Sequence, residues 1–166
     1  MLLFYKEKKY LLISLLLIIL DGTIGYFMPS YFNKLNYFYP MLIISFLPFI
    51  CLVNKISCYF WAIIIGIIYD LLYSSFFLYN LIIFIILVSI DIKIIKIFKI
   101  NILLLIILCL INIIIYDSIS FFLVVLTQYQ IVTIYDLFYK IKHSLLLNFL
   151  LVFVVWFLYR KDFLHA

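Results

Sequence analysis

The chain has 166 residues, of which 70% are hydrophobic and only 11% are charged, and its formal net charge is +5. Soluble domains contain about 45–50% apolar residues, so this composition excludes a water-soluble globule covered by charged side chains. Three glycines, three prolines and three cysteines without a Cys-x-x-Cys pair also exclude a collagen-like chain, a disulfide scaffold and a zinc module. We therefore expect one integral membrane domain over residues 1–166.

The apolar runs predict an all-α protein, a polytopic bundle of about six transmembrane helices. A bilayer core of about 30 Å needs roughly 20 helical residues for each crossing. In chain order, the predicted helices cover residues 10–28, 39–53, 58–75, 78–90, 100–126 and 142–159. The first run follows Lys6, Lys8 and Lys9, but it exceeds the apolar region of a signal peptide and lacks a cleavage site. We interpret it as a retained helix.

The distribution of basic residues decides whether residues 58–90 cross the membrane once or twice. Two crossings and a cytoplasmic N-terminus place nine of the 12 Lys and Arg residues on the inner side and three on the outer side. A single crossing would divide them equally, so the positive-inside rule favours two crossings. We expect a protein of the bacterial inner membrane with both termini in the cytoplasm. Its basic loops would face anionic lipid, and its charge requires no nucleic acid partner.

Several acidic and amide side chains lie within the apolar runs. A carboxylate near the bilayer centre costs about 2.5–3.5 kcal/mol, so such a group is expected to face the bundle interior or a cavity. Asp21, Asp70 and Asp117 are far from any lysine in sequence, and we expect each to be protonated, to contact water or to accept hydrogen bonds. Asp21 is predicted to anchor its helix at the outer interface, and Asn148 is predicted to face the bundle. Asp91, Asp136 and Asp162 are predicted to be solvated.

The surroundings of Asp70 predict a binding site. Gly66 precedes it by one helical turn and permits another helix to approach, and Ser74 and Ser75 supply hydroxyl groups. This group either binds a partner helix or small ligand, or it only holds the third and fourth helices together, and the sequence leaves both interpretations open. The candidate partner-binding or ligand-binding residues are Gly66, Asp70, Ser74, Ser75, Asp117 and Asn148.

Other features carry less functional information. Residues 131–140 have the spacing of a short amphipathic interfacial helix, and an ordinary beginning of the last helix explains them equally well. Cys51, Cys58 and Cys109 are interpreted as small apolar core residues. Because the sequence shows neither a nucleophile motif nor an inward metal cage, we expect no enzymatic activity, no cofactor and no metal.

Taken in order, these features resemble the rod shape-determining MreD family of bacterial inner-membrane proteins. The segment from Trp61 to Ser75 resembles the family's Gly-x-x-x-Asp segment followed by small polar residues. Pro40 before an apolar run, Asp117 in the fifth segment, and Asn148 in a last helix with a basic end also match the family pattern. The chain departs from the pattern at Leu78 and Ala62, where the family has glycine, which puts close helix packing there in doubt.

The resemblance implies a non-enzymatic component of the cell-elongation machinery. Members of this family bind the bitopic protein MreC and help to link MreB filaments to the peptidoglycan synthases of the lateral wall. A second interpretation is the substrate-binding S-component of an energy-coupling vitamin transporter, in which the polar group around Asp70 would hold the vitamin. The outer loops contain mainly Tyr, Asn and Gln with few charges, which fits a ligand-binding protein less well.

Overall fold

The computed structural model describes residues 2–31, 41–53, 55–73, 78–127 and 133–164. These residues form six α-helices: α1 (Leu2–Tyr31), α2 (Leu42–Val53), α3 (Lys55–Tyr73), α4 (Tyr79–Ile97), α5 (Ile102–Thr127) and α6 (Ile134–Leu164). The all-helical class and the division of residues 58–90 into two helices are thereby confirmed. Three helices extend well beyond the predicted bounds: α1 and α6 are longer at both ends, and α4 continues to Ile97.

The early start of α6 bears on residues 131–140. From Ile134 onward they are the first turns of α6, so the described part favours the beginning of the last helix over a separate interfacial helix. A local capping box starts α6, because the Thr133 N–H donates to Asp136 Oδ2 at 2.7 Å and the Asp136 N–H donates to Thr133 Oγ1 at 3.4 Å. Asp136 is exposed, as predicted, while Ile131 and the side chain of Asp162 lie outside the described part.

The short helix α2 is the centre of the bundle. Every side chain from Leu42 to Leu52 is buried, and α2 contacts all five of the other helices. This position follows from its sequence, because a helix that is apolar on all sides has no face that favours water. Its 12 residues span only about 18 Å.

Extensive contacts join three pairs of consecutive helices, α1 with α2, α3 with α4, and α5 with α6. The helices α3 and α4 approach closely at Gly66, where an added Cβ atom would lie 2.6 Å from the Cα atom of Leu81. Cys51 at the end of α2 and Cys58 in α3 lie in the apolar core, as predicted, and they are joined by a disulfide that the sequence pattern does not predict. Cys109 is buried and free.

The distribution of polarity is inverted relative to a soluble protein. Leu12, Leu146 and Phe157 are 66%, 67% and 74% exposed, whereas Asp91 and Asn148 are fully buried. Within the described residues, two segments are long and apolar enough to cross a membrane, Ile102–Thr127 and Ile134–Leu158. The apolar segments Leu42–Val53 and Ser57–Tyr73 are shorter.

Candidate functional site

Asp70 binds the N-terminus of the following helix. The backbone N–H of Asn80 and that of Leu81 donate to its two carboxylate oxygens at 2.9 and 3.1 Å, and the Asn80 side-chain amide donates to Oδ1 at 2.9 Å. The first N–H groups of a helix have no partner within the helix, and their dipoles favour a negative group. Asp70 therefore caps α4 from the neighbouring helix α3.

The residue in the N-cap position of α4 explains why a remote cap is needed. Leu78 has no side chain able to accept a hydrogen bond, and the structure shows no side-chain cap there. Its backbone is left-handed, with φ 65° and ψ 6°. Most L-residues avoid this region and glycine adopts it freely. Leu78 thus sits at a position whose backbone conformation favours glycine.

Asp21 does for α2 what Asp70 does for α4. Its oxygens accept hydrogen bonds from the backbone N–H groups of Leu42 at 2.9 Å and Ile43 at 3.2 Å. Asp21 is only 5% exposed, so the prediction of an anchoring residue instead of a buried one is wrong. The carboxylate lies inside the bundle because the first N–H groups of α2 are buried there and need an acceptor.

The helix α5 carries a buried polar stripe, which we call the α5 polar face. Its members follow one another at intervals of one, three or four residues and therefore lie on one side of the helix. They are Cys109, Asn112, Tyr116, Asp117 and Ser120. Each bonds or pairs with another helix, so this face connects α5 to α2, α4 and α6.

Tyr116 joins the α5 polar face to the cap of α4. Its hydroxyl donates to the Asn80 side-chain oxygen at 2.8 Å, and Asn80 in turn donates to Asp70. Asp70, Asn80 and Tyr116 thus form one hydrogen-bonded chain that joins α3, α4 and α5.

Asp117 forms an ion pair with Lys140 in α6. The Lys140 ammonium nitrogen lies 2.9 Å from Oδ1, outside hydrogen-bond geometry, and the Asp117 side chain is fully buried. The sequence predicts that Asp117 is protonated, contacts water or accepts hydrogen bonds, and it does not predict this ion pair, because Lys140 is distant in the chain and meets Asp117 only when α5 and α6 pair. Lys140 also lies 5.9 Å from the centre of the Tyr116 ring, within the range of a cation–π interaction.

Asp91 is buried, and the prediction that it is solvated is wrong. The helix α4 continues past residue 90, which places Asp91 against α5 instead of in a loop. The Asn112 amide donates to Asp91 Oδ2 at 3.0 Å. The second carboxylate oxygen of Asp91, Oδ1, and the amide oxygen of Asn112, Oδ1, are both buried and have no hydrogen-bond partner.

Asn148 faces the bundle interior, as predicted. Its amide oxygen accepts a hydrogen bond from Ser45 at 2.7 Å, and its amide nitrogen donates to the Ser144 carbonyl at 2.7 Å. The Cys109 thiol donates to the Ser45 hydroxyl at 3.1 Å. These contacts hold α2, α5 and α6 together inside the apolar core.

The structure brings together only some of the predicted site residues. Gly66 and Asp70 both lie at the α3–α4 contact, whereas Asp117 pairs with Lys140 in α6, which also lies 5.9 Å from the centre of the Tyr116 ring. Asn148 belongs to the separate contact among α2, α5 and α6. Ser74 and Ser75 lie outside the described residues. The partner-binding or ligand-binding role of all six residues stays a prediction.

Sequence reasoning missed Asn80, Tyr116 and Ser45, which complete the polar contacts. Asn80 had one available signal, because it follows directly on the predicted break between the third and fourth helices. Tyr116 and Ser45 had none, since tyrosine and serine are common in apolar helices. Their roles come from the arrangement of helices in space.

The described cavity of about 410 Å³ lies away from these polar groups. It is an apolar groove lined by Ile102 at the start of α5 and by residues of α6 between Phe153 and Leu158. The residues described here include no cluster of three or more side chains able to hold a metal ion. The chemistry of the polar groups, as placed, is to bind helices to one another. Comparison with protein-family models, curated proteins and solved structures yielded no match.

Proposed function

We propose that this chain is a multi-pass protein of the bacterial inner membrane that acts, without enzymatic activity, in the cell-elongation machinery. It would cross the membrane six times, keep both termini in the cytoplasm and bind a bitopic MreC-like protein. Through that partner it would link MreB-type filaments to peptidoglycan synthases. The observation that carries this proposal is the left-handed backbone of Leu78, at the position where the resembled family has glycine.

The segment that resembles the family has a physical requirement at each of its marked positions. Gly66 stands where α4 approaches too closely for a side chain, and Asp70 caps α4. Leu78 then adopts a conformation suited to glycine. A Gly-x-x-x-Asp segment followed by glycine eight residues after the acid is what this α3–α4 hairpin requires. The geometry thereby supports the resemblance both at Gly66 and Asp70, which match the family pattern, and at Leu78, which departs from it.

The inverted polarity supports a membrane location. Large apolar side chains such as Leu12, Leu150 and Phe157 are exposed, and acids and amides occupy the interior. In water this arrangement would expose a large apolar surface to solvent, at roughly 25 cal/mol for each Å². In a bilayer the same surface meets lipid chains or the helix of a partner.

The contacts of the buried polar residues indicate how they would affect a partner. Asp70 and Asn148 bind other helices of this chain, so in the proposed function they act through the shape of the bundle. Direct contacts would come from exposed apolar faces such as that of α1, where Leu12, Leu16 and Ile19 lie one turn apart.

Co-purification and depletion in a rod-shaped bacterium test the proposal. We expect the tagged chain to carry an MreC-like protein through detergent purification, and we expect depleted cells to become round. Asp70→Leu should still insert in the membrane but retain less of the partner, whereas Lys96→Ala, at an exposed polar position of α4, should retain it. Rod-shaped cells after depletion, with no such partner recovered, would contradict the proposal.

The vitamin-transporter alternative is tested by the same preparation. The polar groups around Asp70 already bond with one another, and the described cavity is apolar and lies near the start of α5. Both observations favour the scaffold over an S-component. An S-component would release a vitamin on denaturation, and added vitamin would raise its melting temperature by mass action.

A further inference from the structure

The side chains of Asp91 in α4 and Asn112 in α5 form a buried pair whose hydrogen bonds are incomplete. Both residues are fully buried. One hydrogen bond joins them, from the Asn112 amide nitrogen to Asp91 Oδ2 at 3.0 Å. The remaining oxygens, Asp91 Oδ1 and Asn112 Oδ1, have no partner. Two acceptors without a donor are an expensive arrangement in an interior that excludes water.

We propose that Asp91 and Asn112 together form a proton-binding site in which the acid is held uncharged. A proton taken up from water would bind to Asp91 Oδ1. The resulting O–H group would donate a hydrogen bond to Asn112 Oδ1. The acid and the amide would then share two hydrogen bonds in a closed ring, one in each direction. A single proton satisfies both unpartnered oxygens and removes the buried charge.

The surroundings of Asp91 favour a proton over an ion pair. Within the described part of the chain, no lysine or arginine pairs with Asp91, and Lys93 and Lys96 on the same helix are exposed. Among the helices that contact α4, Cys109 of α5 interacts electrostatically with Asp91. A neutral thiol supplies no positive charge that would stabilise a carboxylate.

The other titratable groups on neighbouring helices are remote or inert. Cys51 of α2 and Cys58 of α3 are joined in the disulfide, and Tyr59 of α3 is exposed. Asp117 pairs with Lys140 of α6, and the Asp70 partner Asn80 is 11 residues from Asp91 in α4, or about 16 Å along the helix.

A metal ion fits this pair less well than a proton. Sodium and calcium ions bind many oxygens, six to eight in the case of calcium, and this pair offers two free ones. The described residues also contain no group of three acidic, histidine or cysteine side chains around Asp91. The proton is the one cation that two opposed oxygens satisfy. Asp91 would hold it whether or not the chain binds a partner.

Infrared spectroscopy of the full-length protein in lipid vesicles tests the site. The difference between the wild-type and Asp91→Asn spectra at pH 7 should contain the carbonyl band of a protonated carboxylic acid. The corresponding difference for Asp136→Asn should contain carboxylate bands, since Asp136 is exposed and the hydrogen bond from the Thr133 N–H lowers its pKa. Carboxylate bands in the Asp91→Asn difference would overturn the proposal.

Thermal unfolding supplies a second readout. Asp91→Asn should melt within about 2 °C of the wild type, because the introduced amide also donates to Asn112. Asp91→Leu leaves Asn112 without a partner and should melt at least about 4 °C lower. If Asp91→Asn fails to fold, Asn112→Leu carries the test, because it keeps the acid and removes its acceptor. The acid band should then move to the frequency of an unbonded acid, and a band that stays in place contradicts the pairing.

Discussion

Leu78 has a backbone conformation that is unfavourable for leucine. Its φ of 65° places a leucine in the left-handed region directly before α4. A β-carbon there costs roughly 1–2 kcal/mol relative to the right-handed conformation. The leucine side chain contributes little in return, because it is 39% exposed. The position is therefore strained as the sequence stands.

Leu78→Gly should stabilise the protein. We expect the free energy of unfolding to rise by about 1 kcal/mol, because glycine adopts the left-handed conformation without a steric penalty. Reversible unfolding in mixed detergent micelles measures the change. Ile86→Gly, on the exposed side of α4, is the matched control and should lower stability by about 1 kcal/mol. A loss of stability in both variants would show that Leu78 is not strained.

Substitution by alanine should cost more stability at Gly66 than at Gly22. In Gly66→Ala the new methyl group meets the backbone of Leu81, which cannot move without separating α3 from α4, so we expect a loss of about 1–3 kcal/mol. In Gly22→Ala it meets the end of the Tyr73 side chain, which can rotate away. The same unfolding measurement should show a smaller loss for Gly22→Ala, and equal losses would contradict the close approach.

The helices α2 and α4 share a device for starting inside an apolar environment. Neither has a polar residue next to its first turn, and each receives a carboxylate from the helix before it, Asp21 for α2 and Asp70 for α4. Asp117 in α5 likewise meets α6 through Lys140. These three acids are spaced about fifty residues apart. The described helices pack in three consecutive pairs, and each pair has one of these acids past the middle of its first helix.

Loss of a buried cap should cost more than loss of an exposed one. Asp70→Ala removes the acceptor of two backbone N–H groups and leaves them without water, so we expect it to lower stability by about 2–3 kcal/mol. Asp136→Ala removes an exposed cap from α6 and should cost under about 1 kcal/mol. Amide hydrogen exchange should locate the Asp70→Ala effect in the first turn of α4. Equal protection there in mutant and wild type would contradict the capping role.

At this scale, the sequence predicts where helices lie better than what they contact. Apolar runs and the break near Ser75 identify six helices, because each run exceeds the length of a strand. The burial of Asp91 was missed because nearby lysines suggested a loop, although α4 continues with Lys93 and Lys96 on its exposed face. The Asp117–Lys140 pair was missed because chain separation says nothing about two helices that fold back on each other.

The whole molecule combines an apolar exterior with polar contacts inside. This arrangement fits the proposed six crossings only if the shorter helices are embedded among longer ones, as α2 is. Both termini lie on the same side of the membrane if the chain crosses six times, and on opposite sides if it crosses an odd number of times.

Accessibility of both termini should report one side of the membrane. We expect a reporter that works only in the cytoplasm to be active when fused to either end, and a reporter that works only outside the cytoplasm to be inactive there. An even number of crossings returns the chain to its starting side. Single cysteines introduced near Lys34 in a cysteine-free background should react with an impermeant reagent from outside. A terminus labelled from outside would refute the six-crossing topology.

The central position of α2 has a consequence for biosynthesis. Four of the five helices that cover it are made after it, and three of these, α4, α5 and α6, also follow α3. In a nascent chain that has emerged only as far as α3, Asp21 already caps the first N–H groups of α2, but the Ser45 hydroxyl and the side of α2 that α4, α5 and α6 later cover still face lipid. The helix α2 is fully covered only when α5 and α6 have been inserted. Ribosomal stalling before α5 would therefore leave an intermediate that membrane chaperones and proteases can recognise.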